Sequence, residues 1–450
     1  MKVKQQLERL CTELHEKELL NGAICAAEQG EILFQAAFGY GDLESKRKLT
    51  LESVFELASL SKPITATAIM LLEEQGQLAY EDLIDRWFPG FPYPGITVRH
   101  LLTHTSGLPD YMELFQKHWD RNQIAVNEDV LRLLTEYQPE RKFLPNEQWE
   151  YSNTGYVLLA LLIERISGLS YAEYLDAHLF RPLGMLHTRV YNRRHSNEKI
   201  QDYAYGYVYD AMTDQYVLPD QLTETEYVVY LDGIQGDGTV NSTLGDLLRF
   251  DQALYTEKLV SKQSLEQAFT PVRLNNGKTF DYGFGWILEK HGSRGTIVSH
   301  SGGWPGYATL MMRYLDAGKT LIYLSNKEQD YEFEQSFLEA VQQIVFDEPY
   351  EMPKTPAMRK AVQVDPAIFE RYAGSYRLSE GMHARVSTEQ NRLFLQVDGG
   401  MRLELSPMSQ TRFFIRVLSV EVEFVHDPSD HVSRMTIYEA GKETSAIRVE

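Results

Sequence analysis

The chain has 450 residues, 43% of them hydrophobic and 24% charged, with a formal net charge of −20. That length can bury two or three cores, and the acidity works against nucleic acid or an anionic membrane as a partner, since both would repel it. No apolar run approaches the ~18 residues of a bilayer span, and Cys11 and Cys25 are too few for a disulfide framework, so the expected compartment is the reducing cytoplasm.

In chain order, Met1 to Leu10 reads as an acidic amphipathic helix rather than an apolar signal region. Ala23 to Ala27 and Ile32 to Phe38 predict a hairpin around Gln29-Gly30. From Ser59 to about Phe269 the pattern is mainly helical. Ser-x-x-Lys occurs at Ser45/Lys48, Ser59/Lys62 and Ser196/Lys199, but the first and last copies lie in charged, turn-like stretches. Ser59 instead follows the apolar run Val54-Phe55-Glu56-Leu57-Ala58. It is expected to open a helix whose stripe is Ile64, Ala68, Leu71 and Leu72, with Pro63 near the start and Gly76 as the stop. A serine and a lysine three apart on a helix share a face. A helix N-terminus and burial both disfavour the ammonium, so Lys62 can accept the Ser59 proton.

His100 and His104 have the i, i+4 spacing of helical metal ligands, but the His-Glu-x-x-His glutamate is missing. They read better as residues that order the loop after the first helix. Among 27 tyrosines, Tyr-x-Asn occurs once, at Tyr151-Ser152-Asn153. In extended backbone Tyr151 and Asn153 face the same way, and Leu158, Leu159, Leu162 and Ile166 start a helical stripe just beyond. A phenol beside an ammonium ionises below its usual pKa and can act as base, while the asparagine amide offers a donor and an acceptor. The tyrosine- and acid-rich segment from Tyr203 to Tyr230 reads either as a loop over the cleft, lined by Tyr205, Tyr207 and Tyr209, or as a surface excursion.

Strands are expected at Tyr282 to Leu288, Gly295 to His300, Ala308 to Arg313 and Thr320 to Leu324, with a last helix at about Phe333 to Val345. His300-Ser301-Gly302 is followed by Gly303. Glycine lets backbone approach a substrate closely, and the Gly303 and Ser59 N–H groups can pair around an oxyanion. His300 is expected to face the cleft. Trp304, Tyr307 and Tyr111 are candidate substrate contacts. A linker at 351–366 separates a C-terminal unit, 367–450, from a first domain at 1–350. In that unit Leu393/Leu395/Val397, Leu403/Leu405, Phe413/Ile415/Val417, Val420/Val422/Phe424 and Met435/Ile437 alternate with polar residues, and Asp398-Gly399-Gly400 and Asp427-Pro428-Ser429-Asp430 mark turns. The expected class is therefore α+β: an antiparallel sheet built from both ends of the first domain, flanked by helices and facing a helical lobe, then a small all-β barrel or sheet. That last unit is assigned to shaping the cleft mouth or to self-association.

Ser59-x-x-Lys62, Tyr151-x-Asn153 and His300-Ser301-Gly302 together resemble the serine β-lactamase and penicillin-binding-protein superfamily, and in their detailed form its class C β-lactamase-related branch. Flanking segments agree, among them Ile96 to Pro109, Phe180-Arg181-Pro182-Leu183-Gly184-Met185 and Gly236-Asp237-Gly238-Thr239-Val240-Asn241. The likeness runs from about residue 20 to 345, and the C-terminal unit is similar to the lipocalin-like domains of some relatives. The resemblance implies a serine hydrolase working through an acyl-enzyme on a small molecule or short peptide, esterase-like, with a D-amino-acid peptidase or amidase as the alternative. A binder or sensor without turnover is the alternative of another class. It calls for no cofactor or metal. His300 stands where β-lactamases carry lysine, which weakens recognition of a substrate carboxylate, and Asn146 replaces a usual glycine. Asparagine tolerates left-handed backbone, so that turn is expected to survive. No Gly-x-Ser-x-Gly elbow and no phosphate-binding Gly-x-x-x-x-Gly-Lys-Ser/Thr occurs.

Overall fold

A computed structural model describes residues 2–210, 213–355, 361–379, 382–389, 391–397, 402–415, 420–439 and 442–449. The expected turn at Asp398-Gly399-Gly400, Val417 and residues 356–360 of the linker lie outside the described residues. The chain forms two compact units, Met1–Val208 with Leu218–Lys327, and Tyr209–Val217 with Glu328–Glu450.

The first unit is organised on a six-stranded antiparallel sheet. Its order is Ile287–His291, Gly295–Trp304, Tyr307–Tyr314, Lys319–Ser325, Gly22–Glu28 and Glu31–Phe38. The expected hairpin turns through Gln29 (φ 51°) and Gly30 (φ 81°), the paired left-handed conformation that matches strand twist. The amphipathic helix Lys2–Glu16 buries Leu7, Leu10, Cys11 and Leu14 and packs on the strand Glu31–Phe38. One strand is shorter than expected. The run from Tyr282 to Leu288 is not continuous: Gly285 sits at φ 75°, which breaks it, and pairing proper starts at Ile287.

The helical lobe is centred on Lys62–Glu74 and Asn153–Ser167, whose residues from Tyr156 to Ile163 are all buried. Gly76 (φ 70°) and Gly168 (φ 71°) stop these helices in left-handed conformation. Asn146 also adopts left-handed backbone, at φ 63°, as expected for a glycine substitute. A small sheet of Phe55–Glu56, Val240–Ser242 and Arg189–Val190 carries the chain into the Ser59 segment. Across the lobe, Arg313 Nε meets Asp251 Oδ1 at 2.6 Å with both side chains fully buried, pinning the helix Leu244–Ala253 to the sheet.

Within the tyrosine-rich segment, Tyr207 and Tyr209 are held by contacts of their own rather than lining a cleft. Tyr203 and Tyr207 are buried, and the Tyr207 hydroxyl is bonded to Leu43 N at 2.9 Å. Tyr209 lies in a short hairpin, Val208–Asp210 with Gln215–Val217, its ring 5.5 Å from Tyr216.

The second unit holds the helix Tyr331–Val345 and a closed barrel of eight antiparallel strands between Gly374 and Arg448. The alternation read in the sequence places Leu393, Leu395, Leu405, Phe413, Val422, Phe424 and Met435 in its core, and Val386 joins them. Tyr372 caps that core, stacked on Phe424 at 4.1 Å. Closure removes free strand edges, the usual liability of a small sheet.

Candidate active site

Leu57 N donates to Val240 O at 2.8 Å, tying the segment before Ser59 to the small sheet. Ala58 then adopts φ 50°, a left-handed strain of the kind stored at functional turns. Residues Ala58–Ser61 form a 3₁₀ turn, and the α-helix opens at Lys62 rather than at Ser59. The half-buried Ser59 is thus presented on a tight turn, while the Lys62 side chain runs back beneath it, fully buried. Lys62 Nζ donates to Ser59 Oγ at 3.0 Å, Asn153 Oδ1 at 2.8 Å and the Asp237 carbonyl at 2.9 Å. An ammonium has three hydrogens, so this buried charge is fully satisfied.

Tyr151 lies in extended backbone, but Asn153 is already the first residue of its helix, and Ser152 caps that helix through Gly155 N at 3.3 Å. The ring of Tyr151 has its centroid 4.8 Å from Lys62 Nζ, and the residue is 37% exposed, so it borders the open side of the cluster. Nucleophile, ammonium, phenol and amide are therefore gathered at one place from two separate chain segments.

The His300 strand forms the far wall. It pairs with Tyr307–Tyr314 along its length, whereas pairing with Ile287–His291 ends at Ser299. From His300 onward its other edge has no strand partner among the described residues, leaving backbone donors for an incoming group. Ser301 and Gly303 are exposed and Gly302 is buried. A Cβ on Gly302 would overlap the Leu57 carbonyl oxygen and Thr309 Oγ1 and stand 3.0 Å from Leu60 N. Glycine at 302 is what lets this strand lie against the Ser59 turn. A Cβ on Gly303 would meet nothing within 4 Å, as expected of a backbone that faces open space.

His300 does not line the cleft. It is 2% exposed, its Nδ1 lies 2.7 Å from the Ser301 carbonyl oxygen and its Nε2 lies 3.0 Å from the Tyr282 hydroxyl. That hydroxyl is also 3.0 Å from His104 Nε2, and His104 Nδ1 accepts from Ser152 N at 3.1 Å. His104 itself sits at φ 59°, so the loop-ordering reading of this residue acquires a definite geometry. Its ring centroid is 4.4 Å from that of Tyr151. His100, by contrast, accepts from Thr97 N at 3.1 Å and caps a short helix.

Burial, reinforced by the Lys62 charge, lowers His300 to about 3 and holds His104 well below the ordinary imidazole value. Both are neutral in the folded protein. Because their folded pKa values lie below the unfolded value of ~6.5, their contribution to stability is complete above that pH. It is lost as pH falls towards the folded values, by up to ~1.4 kcal/mol per pH unit for each histidine. Urea unfolding between about pH 7 and 4 should show this slope, and His300→Gln should flatten it; an unchanged slope in the variant would remove His300 as a source.

Two residues here were not singled out as site residues from the sequence. One is Tyr282. The other is Asp237, whose carboxylate accepts from the Tyr111 hydroxyl at 3.0 Å and whose pKa is raised by burial against the opposing pull of Lys62. Tyr111 is itself 3% exposed, so it acts on Asp237 rather than lining open space. Tyr307 is 7% exposed, with its hydroxyl donating to the Ala204 carbonyl at 2.8 Å, and is a packing residue. Trp304, half-buried with its ring 5.4 Å from Tyr227, remains beside the exposed end of the strand.

Residues 7–345 match the family described as Beta-lactamase. The chain belongs to this family. Residues 358–448 match a separate family, Domain of unknown function (DUF3471). Among curated relatives, Penicillin-binding protein 4* of Bacillus subtilis is 57% identical over 99% of both chains. Esterase EstB of Burkholderia gladioli is 34% identical over 38% of this chain and 47% of its own. Among solved structures, a D-amino acid amidase from Ochrobactrum anthropi superposes with a TM-score of 0.61 at 27% identity, covering 77% of this chain and 97% of its own. This member of the Beta-lactamase family is a serine hydrolase.

Proposed function

We propose that the protein cleaves an ester or amide of a small molecule or short peptide through an acyl-Ser59 intermediate, with esterase-like specificity. The observation carrying this reading is the hydrogen bond from Lys62 Nζ to Ser59 Oγ, 3.0 Å long, inside a cluster that also holds Asn153 and Tyr151. Ser59 Oγ attacks the carbonyl carbon and its proton passes into the Lys62–Tyr151 pair. The carbonyl oxygen gains the negative charge, held by the Ser59 and Gly303 N–H groups. Collapse expels the alcohol or amine, which takes a proton from the same pair, and water then repeats the sequence on the acyl-enzyme. Asn153 orients the substrate amide or ester.

His300 supports ester chemistry, because a neutral imidazole with both nitrogens bonded lacks the charge that a lysine would offer. A D-amino-acid amidase or peptidase is the second reading, supported by the Ochrobactrum anthropi relative. Steady-state hydrolysis of a short-chain nitrophenyl ester, a D-alanine anilide, its L counterpart and a chromogenic cephalosporin tests both. Turnover of the ester above the others, abolished in Ser59→Ala and reduced on the order of 10²–10⁴-fold in Tyr151→Phe, is the expected result. Faster turnover of the D-anilide would replace the esterase reading. Stoichiometric acylation without turnover on any of them would move the protein to a ligand-binding role.

A further inference from the structure

The segment Thr103-His104-Thr105 faces two places. His104 turns to Tyr282 and Tyr151, while the threonines, 3% and 0% exposed, line a separate cavity of about 310 Å³. Arg99, His100 and Arg273 line the same cavity, and none of Ser59, Lys62, Tyr151 and Asn153 does. Its hydrogens can be placed from groups that have only one role. Thr97 N can only donate, so His100 Nδ1 is a lone pair and, in the neutral ring, Nε2 carries the hydrogen. Burial lowers the His100 pKa against the pull of Glu81, and Arg99 adds to the effect, so the ring is neutral. That Nε2–H has no partner among the described residues. The Arg99 carbonyl can only accept, so Thr103 Oγ1 donates there at 2.8 Å and accepts from Thr105 Oγ1 at 3.0 Å. Thr105 therefore offers the cavity lone pairs and no donor.

The two cations are underused. Arg99 directs Nε to Glu81 Oε1 at 2.5 Å and one Nη2 hydrogen to Gln267 Oε1 at 3.5 Å, with its guanidinium carbon 5.4 Å from the Phe284 ring centroid. Its Nη1 hydrogens have no partner among the described residues. Arg273 is engaged through its carbonyl, by Asn146 Nδ2 at 3.1 Å, and its guanidinium likewise has no partner among them. Glu81, with a side chain 70% exposed, is the one carboxylate among the described residues lining the cavity, so two guanidiniums face a single anion at the rim. In a chain of net charge −20, a concavity with surplus positive charge and unengaged N–H groups suits an anion rather than a cation or an apolar group. We infer that this cavity is a second binding site, which holds a small molecule by its carboxylate or phosphate group on the Arg99 and Arg273 guanidiniums and the His100 Nε2–H. A guanidinium fork matches two oxygens of such a group in parallel bonds. A hydroxyl on the same ligand donates to Thr105 Oγ1. The volume lies at the lower end of small-molecule sites, ~300–1,000 Å³. Because Thr105 N is bonded to His100 O at 3.0 Å and Asn146 N to Thr105 O at 2.8 Å, an occupant also braces the loop that carries His104.

The test is isothermal titration calorimetry of the full chain near neutral pH with sodium phosphate and, separately, sodium acetate, with sodium chloride holding ionic strength constant. Two temperatures are used, so that a zero enthalpy at one is not mistaken for absence of binding. Wild type should give a saturable isotherm with at least one of the two anions. The anion that saturates at the lower concentration tells whether the group recognised is a phosphate or a carboxylate. Arg273→Gln and Arg99→Gln should each weaken binding about 10–100-fold, the loss of a hydrogen bond to a charged group. Glu81→Gln, which releases the Nε of Arg99, should tighten it, a gain that damage to the fold does not produce. No saturable heat with either anion in wild type overturns the inference. So does saturable binding of unchanged strength in Arg273→Gln and Arg99→Gln, because the anion then sits elsewhere, the catalytic cluster included. If Arg99→Gln does not fold, Arg273→Gln and Glu81→Gln decide: weaker binding in the first with tighter binding in the second supports the site, and wild-type affinity in both defeats it.

Discussion

Lys62→Met should lower kcat/KM for a nitrophenyl ester by about 10²–10⁴-fold with little change in melting temperature. The side chain is wholly buried and its ammonium bridges Ser59 Oγ, Asn153 Oδ1 and the Asp237 carbonyl. Methionine has a similar length and shape, so the cavity stays filled, and exchanging a buried charge for an apolar group often leaves stability near its starting value. Of the three acceptors that lose their donor, the half-exposed Ser59 hydroxyl can turn to water, and the other two oppose this by ~1–3 kcal/mol each. Activity has no such compensation, because the proton of Ser59 loses its route. Lys62→Arg should be no better. A guanidinium keeps the charge but does not give up a proton near neutrality. A methionine variant within tenfold of wild type would take Lys62 out of the chemistry.

The second large effect comes from a single methyl group. Gly302→Ala puts a Cβ onto the Leu57 carbonyl oxygen and Thr309 Oγ1. Since the first is a backbone atom tied to the small sheet and the second is buried in a paired strand, the His300 strand must move away from the Ser59 turn. Displacement of about 1 Å at a reacting centre costs on the order of 10² in rate, and a weakened oxyanion donor costs a further ~10²–10³. Gly303→Ala is the internal control for folding. Its Cβ meets nothing within 4 Å, so its melting temperature should match wild type while that of Gly302→Ala drops by several degrees. Equal melting temperatures and equal kcat for Gly302→Ala and wild type would show that the two elements are not in the close contact described.

These two positions also mark what could be read from the residues alone. Ser59 and Lys62 are three apart in the chain, so local backbone geometry places them together, and Gly302 announces a close approach by its missing side chain. The central sheet was legible because its strands alternate or run apolar between turn residues. Tyr282 was not. Its two partners are 178 and 18 positions away, and a tyrosine opening a strand has the same local pattern whether it packs or relays. Asp237 holds Lys62 through a main-chain carbonyl, a role that any residue could fill and that no side chain advertises. The expectations that failed have a common cause. Tyr307 was placed by its position just beyond the His300 motif and Tyr207 by the composition of its segment, but neither says what lies on the face towards which a ring turns. His300 was expected in the cleft for the same reason, and the imidazole lies on the inner side, against Tyr282.

The order of the central sheet has a consequence for biosynthesis. The strand Gly22–Glu28 leaves the ribosome about three hundred residues before Lys319–Ser325, which completes one of its edges, pairs in turn with Tyr307–Tyr314 and so supports the His300 strand. Closing contacts across nearly three hundred residues is slow. A nascent chain can gather Ser59, Lys62 and Asn153 within the helical lobe long before the opposing wall exists. The hydrolase therefore stays without its oxyanion wall until Gly295–Ser325 has been made, and reactivity arrives with the last strands of the sheet.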